Sequence, residues 1–160
     1  MRGLVAWVWA CLVVVGLSGC DGCEQGEPVG VTDRVWVTNL PDDPRQSLKI
    51  LWIFDLEDAG HIGGFIVGSQ YRNRHERFRY HPLTEGSGRI ELLQDQRVHR
   101  VRATRCEPTE GFDLCMVLHG DPSAGQGATD PAHGSRYLSR EEWERDASDG
   151  VPNMEGVLGD

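Results

Sequence analysis

Arginine alternates with aromatic residues in the middle of the chain, in the sequence RFRY at positions 77–80. Successive side chains of a β-strand point to opposite faces, so the two rings would enter a core and the two guanidinium groups would lie outside it. Arg100 and Arg102 have the same spacing and would extend this face if their strand is adjacent. Clustered guanidinium groups bind carboxylates and phosphates. The pattern predicts an anion-binding face formed by Arg77, Arg79, Arg100 and Arg102.

The charge distribution leaves two interpretations of this face open. Residues 71–105 hold nine arginines and four acidic residues, whereas the whole chain has a net charge of −9. The basic strands either pair with acidic flanks of the same fold, such as Glu141, Glu142 and Glu144, or face an anionic lipid or envelope polymer. A chain with this acidic net charge is not expected to bind nucleic acid.

Catalytic motifs are absent from the sequence, which has no Gly-rich phosphate loop, no GxSxG and no HExxH. Two groups of residues lie close in sequence: His75, Glu76 and His81, and then His119, Asp121, Asp130 and His133. Neither group has the ligand spacing of a known metal site. We therefore predict no catalytic residue, no metal and no cofactor. A hydrolase site assembled only by the fold stays as an alternative.

Aromatic residues recur at strand spacing and have two possible roles. They would line a ligand cavity if the strands close into a barrel, or they would pack as an ordinary core, which we favour. The residues are Trp36, Trp52, Phe54, Phe65, Phe78, Tyr80, Phe112 and Trp143. A carrier of a small apolar ligand is therefore a second alternative function.

The first twenty residues form an export signal. Arg2 precedes an apolar run that ends in Leu17-Ser18-Gly19-Cys20, and this run is too short to span a bilayer as a helix. The stretch resembles the lipobox signal peptide of bacterial lipoprotein precursors. The resemblance implies that residues 1–19 are removed, that Cys20 becomes a lipidated N-terminus, and that the domain is anchored to a membrane of the cell envelope. It does not decide between the inner and the outer membrane.

The remaining cysteines fit an oxidising compartment. Cys106 and Cys115 flank a turn-like segment, EPTEG, and we predict that they form a disulfide, with two buried free thiols as the alternative. Cys11 would leave with the signal. The role of Cys23 is left open.

Strand patterns dominate the rest of the chain. Seven candidate strands separated by turn residues occur between residues 32 and 119, and the best of them, at 47–56, has Leu48, Ile50 and Trp52 on one face. This spacing predicts a mainly β domain, an antiparallel sandwich or small barrel of about seven strands.

A short C-terminal helix completes the prediction. Ser139 and Glu142 form a capping box, and the helix would end near Gly150. The domains are then the signal at 1–19, the lipidated cysteine and a flexible tether at 20–31, the β-rich domain at 32–150, and a loose tail at 151–160. The expected function is that of an envelope lipoprotein acting as a binding or assembly module, with an envelope protein, a polymer or an anionic lipid as partner.

Overall fold

The computed structural model describes residues 26–124 and 134–144, and over these residues the chain forms a closed antiparallel β-barrel of eight strands. The strands are Arg34–Val37 (β1), Leu48–Leu56 (β2), Gly60–Ser69 (β3), Arg72–Thr84 (β4), Ser87–Leu92 (β5), Val98–Arg105 (β6), Leu114–His119 (β7) and Ser135–Ser139 (β8). Each strand pairs with the next, and β8 pairs with β1. The mainly β prediction is confirmed. The sandwich alternative is wrong because one sheet closes on itself.

The strand missing from the prediction of seven is β8. It follows a Gly- and Pro-rich stretch and has only five residues, too few to show an alternating pattern. It closes the barrel through one register pair with β1, Val37 with Leu138, and the Ser139 hydroxyl donates a hydrogen bond of 2.6 Å to the Val35 carbonyl. The β1–β8 seam therefore has far fewer register pairs than the pairing between β2 and β3.

The predicted C-terminal helix is, within the described residues, only a 3-10 turn at Glu141–Trp143. Ser139 does not cap it, because Ser139 belongs to β8 and its hydroxyl is used at the seam. Arg140 takes the N-cap position without a side-chain cap, and Glu144 returns to extended backbone. The rest of the predicted helix and the tail at 151–160 lie outside the described residues.

Apolar side chains from all eight described strands fill the barrel interior. Phe65 and Phe78 are in contact, with ring centroids 4.8 Å apart, and the Trp36 indole donates a hydrogen bond to the Val31 carbonyl. The buried residues contributed by the strands are Trp36, Leu51, Ile53, Phe65, Phe78, Tyr80, Ile90, Leu92, Val101, Ala103, Met116, Leu118 and Tyr137. These side chains occupy the space that an enclosed apolar ligand would need.

Two consecutive glycines in β3 let aromatic rings lie against both faces of the sheet. A Cβ atom on Gly63 would overlap the Phe78 ring inside the barrel. A Cβ atom on Gly64 would lie 2.7–3.0 Å from three indole atoms of Trp52 outside it. Any side chain here would displace these rings, so the sequence Gly63-Gly64 marks a close approach rather than a bulge.

The last residues of the predicted tether pack against the barrel. Val29 and Val31 are buried in the core, Pro28 bridges to Thr104 in β6, and the Glu27 carbonyl accepts a hydrogen bond from the Arg105 N–H. These contacts close the barrel end at which the β2–β3, β4–β5 and β6–β7 turns lie. We call it the anchor end. A free tether from Cys20 would therefore end before Gly26.

A second apolar cluster lies outside the barrel, on β1, β2 and β3. Val35, Val37 and Ile50 are buried there beneath Trp143, and Phe112 packs against the Trp143 ring at 6.0 Å between centroids. The apolar face of β2 that includes Ile50 and Trp52 thus points outward, while Leu51 and Ile53 point into the barrel. Both faces of β2 carry apolar side chains, but the outer face is covered only in part, since Trp52 and Phe54 remain partly exposed.

The structure joins Cys106 and Cys115 in a disulfide, with Cα atoms 5.0 Å apart, as the sequence predicted. The bond closes the β6–β7 loop, which also carries Phe112. Cys11, Cys20, Cys23 and the predicted signal at 1–19 lie outside the described residues. In the described part of the chain, no helix is long and apolar enough to cross a membrane.

Candidate functional site: an arginine-bearing outer surface

Five arginines are exposed on the outer face of β4, β5 and β6, and we call this face the arginine surface. Strand alternation buries Phe78 and Tyr80 and exposes Arg77 and Arg79. The adjacency that the sequence interpretation required is not found, because β5 lies between β4 and β6; the outward residues of β4 and β6 nevertheless share one surface through β5. The arginines are Arg77, Arg79, Arg89, Arg100 and Arg102.

Like charges lie directly opposite each other at the centre of this surface. Arg89 pairs in register with His81 on one side and with Arg100 on the other. Like charges in directly opposite cross-strand positions destabilise a sheet. Glu91 lies opposite Arg79, and its carboxylate approaches the His81 ring at 3.3 Å. The pairing of Arg89 with Arg100 therefore does not stabilise the barrel.

The acidic residues near the C-terminus do not neutralise the arginine surface. Glu144 pairs with Arg34 at 2.5 Å, and Glu142 pairs with Arg140 at 3.3 Å, beside β1 and β8. Within residues 26–124 and 134–144, the side chains of Arg77, Arg79, Arg89 and Arg100 make no ion pair or hydrogen bond. Their charges are thus available to a partner.

A concavity of about 420 Å³ lies where the arginine surface meets the outer apolar cluster. Trp52, Gly64 and Arg77 form one cross-strand row over β2, β3 and β4. The Leu93 N–H donates a hydrogen bond of 3.0 Å to the Arg77 carbonyl and extends this row. The Trp52 ring stacks on Phe54 with centroids 5.3 Å apart and remains partly exposed.

A buried polar cluster lies inside the barrel, at the end opposite the anchor end. The Asp121 carboxylate is 1% exposed, accepts hydrogen bonds of 2.9 Å from the Tyr137 and Ser123 hydroxyls, and lies 3.8 Å from the Lys49 ammonium. Burial, followed by the charge of Asp121, raises the pKa of Tyr137 well above its usual value. These groups satisfy one another, so the cluster fastens β8 and the start of the β7–β8 loop to the barrel.

The histidine groups noted in the sequence do not converge. His75 and His81 share the outer face of β4, but they lie six positions apart along the strand, at a distance of about 20 Å. Glu76 pairs instead with Arg74. His119 lies 3.4 Å from the Thr104 hydroxyl, whereas Asp121 belongs to the buried cluster; Asp130 and His133 lie outside the described residues. Over the described ranges no group of three His, Cys, Asp or Glu side chains is arranged to hold a metal.

The sequence interpretation missed Arg89 and did not assign Trp52 to a surface. Arg89 precedes the inward Ile90, so the alternation of β5 contains the signal that points it outward. The outward direction of Trp52 has no such signal, because both faces of β2 are apolar. The predicted aromatic set is divided: Trp36, Phe65, Phe78 and Tyr80 lie inside the barrel, and Trp52, Phe54, Phe112 and Trp143 lie outside it.

Comparison with protein-family models, with curated proteins and with solved structures returns no match.

Proposed function

We propose that this protein is a lipid-anchored lipoprotein of the bacterial cell envelope whose barrel binds an anionic partner through the arginine surface. The observation that carries the proposal is the cross-strand pair of Arg89 and Arg100, two guanidinium-bearing residues directly opposite each other whose side chains make no ion pair within the described residues. An anion bound across these strands would remove the repulsion, and its carboxylates or phosphates would accept hydrogen bonds from the guanidinium groups.

The anchor fits this arrangement. If Cys20 carries lipid, Gly26 lies six positions after it in the chain and packs against Thr104 and Arg105 of β6. Six residues span at most about 22 Å, so the anchor end would lie close to the bilayer. The arginine surface would then stand beside the membrane, within reach of anionic lipid head groups and of envelope polymers.

The alternatives have less support. A carrier needs an interior cavity, and the described interior positions are filled by buried rings and aliphatic chains. A hydrolase stays a second alternative: the Ser123 hydroxyl lies 2.9 Å from the Asp121 carboxylate, but this carboxylate also accepts a hydrogen bond from Tyr137 and lies beside Lys49. Binding without a chemical step is the function that the geometry supports best.

Lipidation is tested by the intact mass of protein extracted from membranes. The proposal predicts a chain that begins at Cys20 and carries acyl groups, and it predicts that Cys20→Ala blocks this processing. An unmodified chain that begins at Met1 would contradict the anchor.

Binding is tested with the mature protein held in neutral-lipid nanodiscs and exposed to an anionic polysaccharide or to anionic vesicles. We expect binding at low salt that weakens as salt is added, since screening reduces the attraction between exposed charges. Arg79→Ala/Arg100→Ala should weaken it further. Arg45→Ala/Arg72→Ala removes the same charge from exposed sites outside the arginine surface and is the matched control.

Equal losses in the two double variants would show that only net charge matters, and would contradict a defined surface. Absence of binding to either probe at low salt would contradict the proposed function. The two probes also separate the sources of the anion, because a preference for vesicles indicates lipid head groups and a preference for polysaccharide indicates an envelope polymer.

A further inference from the structure

Trp52 lies on the outer face of the barrel, where its ring is only partly buried. Its ring lies over Gly64, where any side chain would collide with the indole, yet the residue remains partly exposed. In the described chain the indole N–H donates to no acceptor, whereas the buried Trp36 indole donates to the Val31 carbonyl. Gly64 thus makes room for the Trp52 ring, and the indole N–H of Trp52 is available to a ligand.

A cation lies beside this ring. Arg77 is two strands away in the same cross-strand row, so their backbones are about 10 Å apart with Gly64 between them. The Arg77 side chain is exposed and makes no ion pair within the described residues. Trp52 and Arg77 therefore both line the concavity, together with Glu76, whose carboxylate pairs with Arg74.

We propose that this concavity binds one sugar unit of an acidic glycan, and this inference rests on the proposed function. The apolar face of the pyranose ring would pack against the exposed part of the Trp52 ring, its carboxylate would accept hydrogen bonds from Arg77, and a hydroxyl would accept one from the indole N–H. The volume of about 420 Å³ lies within the range of small-molecule sites, about 300–1,000 Å³. The neighbouring arginines of the arginine surface would hold the following acidic units.

The chemistry of the row favours a sugar over the other anionic partners. A lipid phosphate or an acidic peptide side chain meets Arg77 equally well, but it has no flat apolar ring to cover Trp52. An uncharged apolar ligand would cover Trp52 and leave Arg77 without a partner. A uronic acid residue has both features on one ring.

The test measures binding of the mature protein, in neutral-lipid nanodiscs, to a short oligogalacturonate and to an oligoglutamate of equal charge. We expect the oligogalacturonate to bind about fivefold to tenfold more tightly, the gain typical of one stacked ring. Trp52→Phe and Gly64→Ala, which remove the indole or displace it, should lower oligogalacturonate affinity to that of oligoglutamate. Binding should also change the tryptophan fluorescence of the wild type and not that of Trp52→Phe.

Tyr71→Ala removes another exposed aromatic ring, 74% exposed at the β3–β4 turn, and should change neither affinity. Equal wild-type affinities for the two probes, or a sugar affinity that survives both Trp52→Phe and Gly64→Ala, would overturn the sugar site and leave the arginine surface intact. Failure of both probes to bind, or binding unaffected by Arg79→Ala/Arg100→Ala, would overturn the proposed function itself. Circular dichroism of each variant verifies that the barrel has folded.

Discussion

The two outer sides of the barrel differ in what covers them. The side formed by β1, β2 and β3 is apolar, and the chain covers it with Trp143 and Phe112. The side formed by β4, β5 and β6 carries exposed arginines, and no described segment of the chain pairs with the central ones. A surface that the protein covers itself contributes to stability, whereas a charged surface left open is available to a partner. Substitutions on the two sides should therefore change different measurements.

The largest expected effect is on the apolar side. Trp143 is 1% exposed and packs on Val35, Val37 and Ile50. Trp143→Ala should lower the free energy of unfolding by about 3–5 kcal/mol, because it leaves a cavity and uncovers the cluster. Denaturant unfolding measures this, with Tyr71→Ala as the exposed aromatic control. A loss below about 1 kcal/mol would show that the apolar side is not a second core.

The disulfide should have the next largest effect, because it closes the loop that carries Phe112. Cys106→Ser/Cys115→Ser should destabilise the barrel by about 2–3 kcal/mol through the added entropy of the unfolded chain. Reduction of the wild type should produce the same shift in the unfolding midpoint. The bond would be contradicted if reductant left the unfolding midpoint unchanged and a non-reducing peptide map contained no linked pair of Cys106 and Cys115 peptides.

The buried polar cluster around Asp121 lies inside the barrel, so substitutions there test stability independently of the two outer sides. Tyr137→Phe removes a hydrogen bond to the buried Asp121 and should cost about 1–3 kcal/mol at neutral pH. The pKa of Tyr137 is raised in the folded state, so above about pH 10 the unfolded chain releases this proton first and stability falls as pH rises. The free energy of unfolding of Tyr137→Phe should fall less steeply with pH than that of the wild type. Part of the remaining decrease comes from Tyr80, because burial also raises the pKa of Tyr80. Identical alkaline slopes would exclude the Tyr137 contribution.

The smallest effect on stability should come from the arginine surface. Arg79→Ala/Arg100→Ala should change the free energy of unfolding by no more than about 0.5 kcal/mol per site, because both side chains are exposed and unpaired in the described chain. A gain in stability would agree with relief of the opposed charges. A large loss, measured in the same denaturant titration, would make this surface structural and remove the contrast between the two sides.

The sequence contained the information for one side of the barrel and not for the other. Alternation in β4 separates Arg79 from the buried Phe78 and Tyr80, so a period of two suffices to orient them. Strand β2 is apolar on both faces, and the side on which Trp52 lies depends on closure of the sheet and on cover from Trp143. Closure depends in turn on β8, which is too short to show a pattern. The capping box at Ser139 was overridden because its hydroxyl bonds to Val35.

Arginine-specific covalent labelling, read by mass spectrometry with and without a bound anionic polysaccharide, tests whether the arginine surface is the binding site. We expect the polymer to protect Arg79, Arg89 and Arg100 and to leave Arg45 and Arg72 as reactive as before. Protection spread evenly over all exposed arginines, or confined to Arg45 and Arg72, would contradict it.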